Sequence, residues 1–211
     1  MRCIVILLGL LLSGCASYRA DYQARLIDTL PDKRGVVFED QSSFPGKVLC
    51  GTYTARSYVG YKQTRPFVIT PEAVLGDAKE QERAVYCSRD SEGQMLASYG
   101  IGGDAAVWSA LGKIEEDMSA IERSVLAYYN ERNVPPRELT QLLDGDYGVS
   151  AGQLSDPWGR PYRYDPGLAG RSLPRISLST LGADGERGGS GMDADISIEQ
   201  LPMLRHVMRL R

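Results

Sequence analysis

The chain has 211 residues, 43% of them hydrophobic, which is enough for one domain or for two small ones. Its formal net charge of −3 provides no basic field to attract nucleic acid, so we expect no nucleic-acid partner. The composition is typical neither of a disordered chain nor of a fibrous repeat.

An apolar segment opens the chain. Met1 and Arg2 supply one positive charge, and residues 3–12 are almost wholly apolar. A run of about ten residues is too short to cross a bilayer about 30 Å thick as a helix, so it predicts a secretory signal. The Leu12-Ser13-Gly14-Cys15 sequence that follows resembles the bacterial lipoprotein signal. That resemblance implies a signal peptide at residues 1–14 and a lipid on Cys15, with plain secretion and a free thiol as the alternative.

The same resemblance predicts where the protein is located. Acyl chains contribute about 0.8 kcal/mol per buried CH₂, so several of them make an effectively permanent membrane anchor. Ala16 follows the cysteine, at a position where an aspartate would favour retention in the inner membrane. We therefore expect a lipid-anchored envelope protein that faces the periplasm, at the outer membrane rather than the inner one.

Two further cysteines, Cys50 and Cys87, remain in the mature chain. In an oxidising compartment two cysteines most simply pair, and closing a loop of that length contributes about 4 kcal/mol in the chain-entropy model. A two-cysteine metal site is the alternative, but the chain has a single histidine, His206, to support it. The sequence predicts a Cys50–Cys87 disulfide.

The first part of the mature chain is predicted to be a tether followed by a small domain. Residues 15–45 mix charges with short apolar clusters and predict a lipid-anchored tether, with a candidate strand at 36–38. Residues 46–100 predict a small β-rich domain whose β-branched and aromatic segments are the candidate strands 47–54, 58–61, 66–70 and 84–87. Gly51, inside the first of these, indicates a bulge or a close backbone crossing.

Three tyrosines lie on these candidate strands, namely Tyr53, Tyr58 and Tyr61. The favoured interpretation is that they are half-buried strand aromatics, and the alternative is that they line a binding surface.

A long amphipathic helix is predicted to follow a glycine-rich boundary at residues 98–103. Asp104 is its predicted N-cap, and it should end near Asn133, before Pro135. Its apolar residues alternate spacings of four and three, which predicts one buried seam of Val107, Leu111, Ile114, Met118, Ile121, Val125 and Tyr128. Charged residues off the seam are predicted to be solvated: Glu115, Glu116, Asp117, Glu122 and Arg123. Packing on the chain's own sheet is favoured over a coiled coil with a partner.

A short helix at 137–143 and a strand at 175–180 are predicted next, followed by a glycine-rich acidic loop. This loop has five glycines between residues 182 and 191. Glycine contributes no side-chain packing and costs backbone entropy when ordered, so something other than side-chain packing must order the loop. A hard cation is the candidate, because carboxylates and backbone carbonyls form the shell of about 6–8 oxygens that Ca²⁺ takes. The alternative is a solvated acidic turn.

Three motifs carry a family resemblance: Asp156-Pro157-Trp158-Gly159-Arg160-Pro161-Tyr162-Arg163-Tyr164, Thr180-Leu181-Gly182-Ala183-Asp184-Gly185 and Asp193-Ala194-Asp195-Ile196. Together they resemble the globular domain of the major pseudopilin of type II secretion systems, over about residues 105–197. In that family the acidic loop binds calcium. The resemblance implies a Ca²⁺ site with the side chains of Asp184, Asp193 and Asp195 as ligands, completed by backbone carbonyls near Leu181 and Ser190.

The resemblance also implies the fold class. We expect an α+β protein in which a long amphipathic helix packs on a small antiparallel sheet, forming a pseudopilin-like domain at residues 104–211. A small disulfide-closed β-rich domain precedes it. A short C-terminal helix with Leu204, Val207 and Met208 on one face is predicted to dock on the domain, a membrane-surface role being the alternative.

The chain also departs from that family. A pseudopilin begins with a Gly-Phe-Thr-Leu-x-Glu processing site and an apolar helix of about twenty residues, long enough to span a membrane. The sequence has a predicted lipid anchor and an additional domain in that place. We therefore do not expect it to polymerise as a pilus subunit.

The predicted function is that of a non-enzymatic, calcium-stabilised envelope lipoprotein, an interaction module with partners in a type II secretion or pilus-like machine. The alternative is a structural or ligand-binding periplasmic lipoprotein that reuses the pseudopilin fold without a secretion role. Catalysis is disfavoured, because the predicted disulfide leaves no thiol nucleophile in the mature chain. The loop aspartates are better explained as ligands than as an acid–base pair.

Overall fold

The computed structural model describes residues 18–57, 59–167 and 176–211. The chain divides into two compact units: the first contains the residues up to Ser91 together with Arg209–Arg211, and the second spans Glu92–Met208. The predicted signal peptide at residues 1–14 and the predicted lipidation site at Cys15 lie outside the described residues. Across the described ranges, no helix is both long enough and apolar enough to cross a bilayer.

The first unit is built on a four-stranded antiparallel sheet with strand order β1-β2-β3-β4. Its strands are β1 (Val37–Phe44), β2 (Val48–Arg56), β3 (Lys62–Ile69) and β4 (Val74–Leu75). A helix at residues 18–28, named α1, covers one face of this sheet. The core between them contains the buried side chains of Tyr22, Leu26, Leu49, Tyr53, Ala55, Phe67 and Ile69.

The predicted tether at residues 15–45 is wrong for its described part, because α1 and β1 both lie within it. Tyr22 and Leu26 are four residues apart, so they share one face of α1, and both are buried in the core. Charged residues surround these two positions, so the sequence gives only a weak periodic apolar signal there. The described part of this segment is therefore packed against the sheet and is not an extended tether.

Gly51 occupies a close backbone crossing, as its position inside a strand predicts. A Cβ at this residue would lie 2.8 Å from the carbonyl oxygen of Glu39 and 3.0 Å from the ring of Phe67. The register of β1 against β2 shifts between Glu39 and Ser42, which is a β-bulge. Only glycine fits between the bulged strand and the aromatic ring.

The predicted disulfide is confirmed, but one of the elements that it joins was assigned incorrectly. Cys50 lies in β2 and Cys87 is the C-cap of α2 (Glu80–Tyr86), with a Cα–Cα distance of 6.0 Å. Residues 84–87 were predicted to be a strand. They end a helix instead, because Val85 and Tyr86 bury one face of a short helix whose first turn is acidic.

Residues 59–61 of the strand predicted at 58–61 lie instead in the connection between β2 and β3. The Ser57 N–H donates to the Tyr61 carbonyl at 2.8 Å, and Gly60 has a φ of +86°, which favours glycine. Tyr58 lies outside the described residues. Tyr53 is buried, while Tyr61 is 73% exposed, so the two do not share the half-buried environment predicted for them.

The second unit is organised around a long helix, as predicted. Helix α3 (Ser91–Tyr99) precedes α4 (Ala105–Arg132). The Asp104 carboxylate caps α4 by accepting from the N–H groups of Ala106 and Val107, and Asn133 ends it with a φ of 58°. Because Glu92–Tyr99 belongs to this unit, the boundary lies earlier than the one predicted at residues 98–103.

The seam of α4 is buried as predicted from Val107 to Val125, while Tyr128 is half-buried. Two of the charged residues predicted to be solvated are not: Glu115 is half-buried, and Asp117 is 1% exposed. Its Oδ2 accepts hydrogen bonds from Lys113 at 2.7 Å and from the Tyr162 hydroxyl at 3.3 Å. The reason is tertiary, since Tyr162 comes from a distant part of the chain.

A three-stranded antiparallel sheet completes the second unit, in the order β5-β6-β7. Its strands are β5 (Arg163–Asp165), β6 (Ser177–Thr180) and β7 (Ile196–Ser197), and short 3₁₀ turns connect them to α4 and to α5 (Leu201–Leu210). The predicted short helix at 137–143 is such a turn, at Leu139–Leu143. The fold class is α+β, with a long helix and small antiparallel sheets, as predicted.

Helix α5 packs its apolar face into the second unit. Leu204 and Val207 are buried, and Arg205 forms an ion pair with Glu115 of α4. The Met208 methyl group would contact a Cβ placed at Gly112 of α4 at 3.6 Å. Helix α5 therefore docks on the second unit, as predicted.

Candidate functional site

The carboxylate of Asp156 is the centre of a buried hydrogen-bond network in the second unit. The residue is 4% exposed. Its Oδ1 accepts from the backbone N–H of Trp158 at 3.1 Å and of Arg160 at 2.9 Å, and its Oδ2 accepts from the Thr180 hydroxyl at 2.6 Å. A single carboxylate thereby joins the Asp-Pro-Trp-Gly turn to the end of β6.

The backbone of the turn explains why its residues are of these types. The Gly159 N–H donates to the Asp156 carbonyl at 2.9 Å, and the Asp156 N–H donates to the Arg160 carbonyl at 2.8 Å. Gly159 has a φ of +84°, in the left-handed region that favours glycine. Aspartate at the first position satisfies the N–H groups that such a turn leaves free.

The same turn holds the beginning of the acidic loop. The Thr180 hydroxyl accepts from the Gly182 N–H at 3.3 Å. The Arg160 guanidinium donates to the carbonyls of Gly182 and Ala183, at 3.1 Å and 2.5 Å. Asp156, Arg160 and Thr180 therefore fix the conformation of the chain where it leaves β6.

Backbone and carboxylate hydrogen bonds also order the rest of the loop. The Ala183 N–H donates to the Met192 carbonyl at 2.8 Å, closing the loop across its width. Near its tip, the Glu186 N–H donates to Asp184 Oδ1 at 2.9 Å. The protein itself thus supplies much of the order that the sequence analysis attributed to a bound cation.

Two glycines enclose the backbone of Asp193. A Cβ at Gly182 would lie 2.5 Å from the Asp193 carbonyl carbon, and a Cβ at Gly189 would contact the Asp193 carbonyl oxygen. Their φ values are +69° and +83°. The glycines are therefore required by close approach as well as by backbone conformation.

The predicted metal ligands lie on this loop in different environments. Asp184 accepts the hydrogen bond from Glu186, and Ser190 accepts one from the Asp193 N–H at 3.2 Å. Leu181 is half-buried directly after β6. Across the residues that the structure describes, no three acidic, histidine or cysteine side chains are grouped so that they could hold a metal ion. The three predicted carboxylates are therefore not gathered at one point.

Asp195 has the one feature of the loop that fits a hard cation. Its Oδ2 accepts from the Gly188 N–H at 2.9 Å, while its Oδ1 is buried and has no hydrogen-bond partner among the described residues. A buried carboxylate oxygen without a partner is costly, and a cation would satisfy it. The surrounding turns supply the backbone carbonyls that Ca²⁺ accepts as further ligands.

Tyr162 connects the motif to the long helix. Burial, followed by the nearby charge of Asp117, raises the pKa of the Tyr162 phenol well above its usual range. The phenol therefore stays protonated and donates to the Asp117 carboxylate. This hydrogen bond ties α4 to the segment that carries Asp156.

Sequence reasoning missed Asp156, Arg160, Thr180 and Asp117 as residues that organise the loop and its support. The local signal was present for Asp156, since aspartate before a Pro-x-Gly sequence indicates a turn. Its bond to Thr180 spans 24 residues, and that of Tyr162 to Asp117 spans 45. No local pattern indicates such pairings.

Comparison with known proteins matches the region that contains these contacts. The model of the family described as "Type II secretion system (T2SS), protein G" matches residues 109–199, from the first turns of α4 to the 3₁₀ turn that follows β7. The type II secretion system core protein G of Pseudomonas aeruginosa is 55% identical over 41 residues, which are 19% of this chain and 27% of that protein. The matched segment thus spans about a quarter of the length of that relative. The predicted pseudopilin-like region is confirmed.

Proposed function

We propose that this chain, whose residues 109–199 form a pseudopilin-like domain of the type II secretion protein G kind, is a non-enzymatic interaction module of the cell envelope. It acts at a type II secretion or pilus-like machine. A lipid on Cys15 holds it at the membrane, facing the periplasm, at the outer membrane rather than the inner one. The observation that carries the proposal is the family match to the elements that surround the Asp156 network.

The chemistry of the second unit supports a binding role over a catalytic one. Its two buried carboxylates, Asp117 and Asp156, each accept hydrogen bonds from neighbouring groups of the same unit. Carboxylates engaged in this way hold segments together, whereas a catalytic acid or base must face its substrate.

Calcium is the proposed stabilising ligand of this module. The expected ligands are the side chains of Asp184, Asp193 and Asp195 with carbonyls of Leu181 and Ser190. Because the three carboxylates are not gathered at one point, Asp195 is the side chain that we propose binds the ion. Support comes from the partnerless buried Oδ1 of Asp195 and from the oxygen-rich composition of the loop. When bound, Ca²⁺ supplies positive charge that neutralises these carboxylates, and the loop residues keep the conformation set by Arg160 and Thr180.

Removing calcium is expected to lower the melting temperature of the second unit. A ligand that binds only the native state stabilises it by about 2.7 kcal/mol at a concentration of one hundred times its Kd. Calorimetric melting in chelator and in millimolar calcium measures the difference. Asp195→Asn, which keeps the acceptor for Gly188 but removes the charge, should abolish most of it.

Asp146→Asn is the matched control, because Asp146 is an exposed aspartate outside the loop. It should keep the full calcium response. Identical melting of the unaltered chain with chelator and with calcium would contradict the proposed metal site and would leave the hydrogen bonds of the loop as its sole support.

The secretion role is tested by photo-cross-linking in the native bacterium. A cross-linking residue at Leu126 or Leu143, both exposed in the second unit, is expected to yield adducts with components of the secretion machine. A cross-linker at Val37, exposed in the first unit, shows which adducts depend on the pseudopilin-like domain. If no secretion component is labelled from Leu126 or Leu143, the alternative role of a structural or ligand-binding lipoprotein is favoured.

A further inference from the structure

The turn that joins β2 to β3 forms an exposed tip on the first unit. Arg56 and Lys62 are the last paired residues of the two strands. Beyond them the Ser57 N–H donates to the Tyr61 carbonyl, and the Gly60 N–H donates to the Ser57 carbonyl at 2.9 Å. These bonds hold Ser57, Gly60 and Tyr61 together at the end of the hairpin.

Two large side chains at this tip are exposed although neither is charged. Val59 is 77% exposed and Tyr61 is 73% exposed, the highest values among the large hydrophobic residues of the described chain. Tyrosine has an apolar ring and a polar hydroxyl, which suits the boundary between water and lipid. Two exposed residues of this kind within one short turn indicate an apolar partner.

Two positively charged residues, Arg56 and Lys62, lie at the strand ends next to the tip. Arg56 and Lys62 are opposite each other across the strands, so their side chains project from the same face of the sheet. Like charges in this arrangement destabilise a hairpin. Within the described residues, neither side chain forms an ion pair or a hydrogen bond with a neighbour. An anion from outside the chain would relieve their repulsion.

Arg34 extends this basic region. A cavity of about 340 Å³ is lined by Arg34, Arg56, Lys62, Asp32 and Thr54 among others, and its charged groups are three cations and one carboxylate. Asp32 pairs with Arg34 at 3.1 Å and also attracts Arg56, so one carboxylate faces three cations and the region keeps an excess of positive charge. A neighbouring cavity of about 480 Å³ shares Asp32, Arg34 and Arg56 and reaches Ser57 and Gly60 of the turn. Positive charge thus borders the tip in a chain whose net charge is −3.

We propose that this hairpin end docks on the surface of an anionic phospholipid membrane. Val59 and Tyr61 enter the interfacial layer of the bilayer, while Arg34, Arg56 and Lys62 contact phosphate groups of the lipids. A free phosphate would satisfy the cations but would gain nothing from the two tip residues. The proposal depends neither on the acyl anchor nor on the secretion role.

Vesicle binding of the full chain carrying Cys15→Ser, which lacks the thiol expected to be acylated, tests this docking. Phosphatidylcholine vesicles with and without phosphatidylglycerol are compared by flotation. Arg56→Gln with Lys62→Gln is expected to weaken binding to anionic vesicles by about 25-fold, or about five-fold for each cation removed. Arg123→Gln with Arg163→Gln removes the same charge from exposed positions of the second unit and should have a much smaller effect.

A second measurement reports insertion of the tip itself. Tyr61→Trp should show emission that is quenched by brominated lipids in anionic vesicles, whereas Leu126→Trp, exposed on α4, should show no added quenching. Equal losses of binding in the two charge variants, or an unquenched tip tryptophan on bound vesicles, would overturn the proposal. Saturable binding of inorganic phosphate with no vesicle binding would also overturn it, because it would indicate a site for a free anion.

Discussion

Replacing both Cys50 and Cys87 with alanine is expected to lower the free energy of unfolding of the first unit by about 4 kcal/mol. The two residues are 37 apart in sequence, and a cross-link that closes a loop of this length restricts the unfolded chain strongly. This loss is a large fraction of the total free energy of unfolding, because a small domain buries little apolar surface and is only marginally stable. Chemical denaturation monitored by circular dichroism measures it.

The single variants provide the control for this prediction. Cys50→Ala and Cys87→Ala each remove the whole cross-link, so each should lose nearly as much stability as the double variant. The second unit contains neither cysteine and should unfold at an unchanged denaturant concentration. A reductant that leaves the unfolding of the first unit unchanged in the unaltered chain would refute the assigned contribution.

Helix α4 shows what local sequence can predict. Its buried seam repeats at helical spacing, and its ends carry Asp104 and Asn133, whose side-chain and backbone preferences are local properties. Both ends and the apolar seam from Val107 to Val125 were predicted correctly. The buried residues beside the seam were not predicted, namely Trp108, Asp117, Ser119, Ala120 and Ser124. Asp117 was predicted to be solvated but is buried. Its partner there is the Tyr162 hydroxyl, from a segment 45 positions away.

The first unit shows the opposite case. Helix α2 is seven residues long, and α1 buries two core residues among many charges, so neither gives a strong periodic signal. The apolar sequence that ends α2 is equally suited to a strand, and the choice is made by packing against β2 through Cys50 and Cys87. Short elements of this kind are decided by tertiary contacts.

The acidic loop was identified from its composition, but the contacts that order it were not predicted. The glycines at 182 and 189 are needed because they approach Asp193, a contact that composition cannot reveal. Part of the order that composition led us to attribute to a cation comes from Arg160, whose guanidinium donates hydrogen bonds to two loop carbonyls. The Asp-Pro-Trp-Gly motif and the loop are therefore one structural unit.

Asp156→Ala is expected to destabilise the second unit by about 4 kcal/mol, because it removes three hydrogen bonds to one buried carboxylate. The N–H groups of Trp158 and Arg160 would lose their acceptor in a site where water does not replace it easily. Thermal and chemical unfolding of the second unit measure the loss, and the calcium response should weaken with it because Thr180 and Arg160 lose their positions.

Two matched variants separate this network from a general loss of charge. Asp156→Asn keeps an oxygen for both N–H groups and loses only the acceptor of the Thr180 hydroxyl, so its cost should be clearly smaller. Asp165→Ala removes an exposed carboxylate whose recorded hydrogen bond is to the nearby Gly167 N–H, and it should be nearly neutral. If Asp156→Ala were as mild as Asp165→Ala, the loop would be held without the motif, and a bound cation would again be the main source of its order.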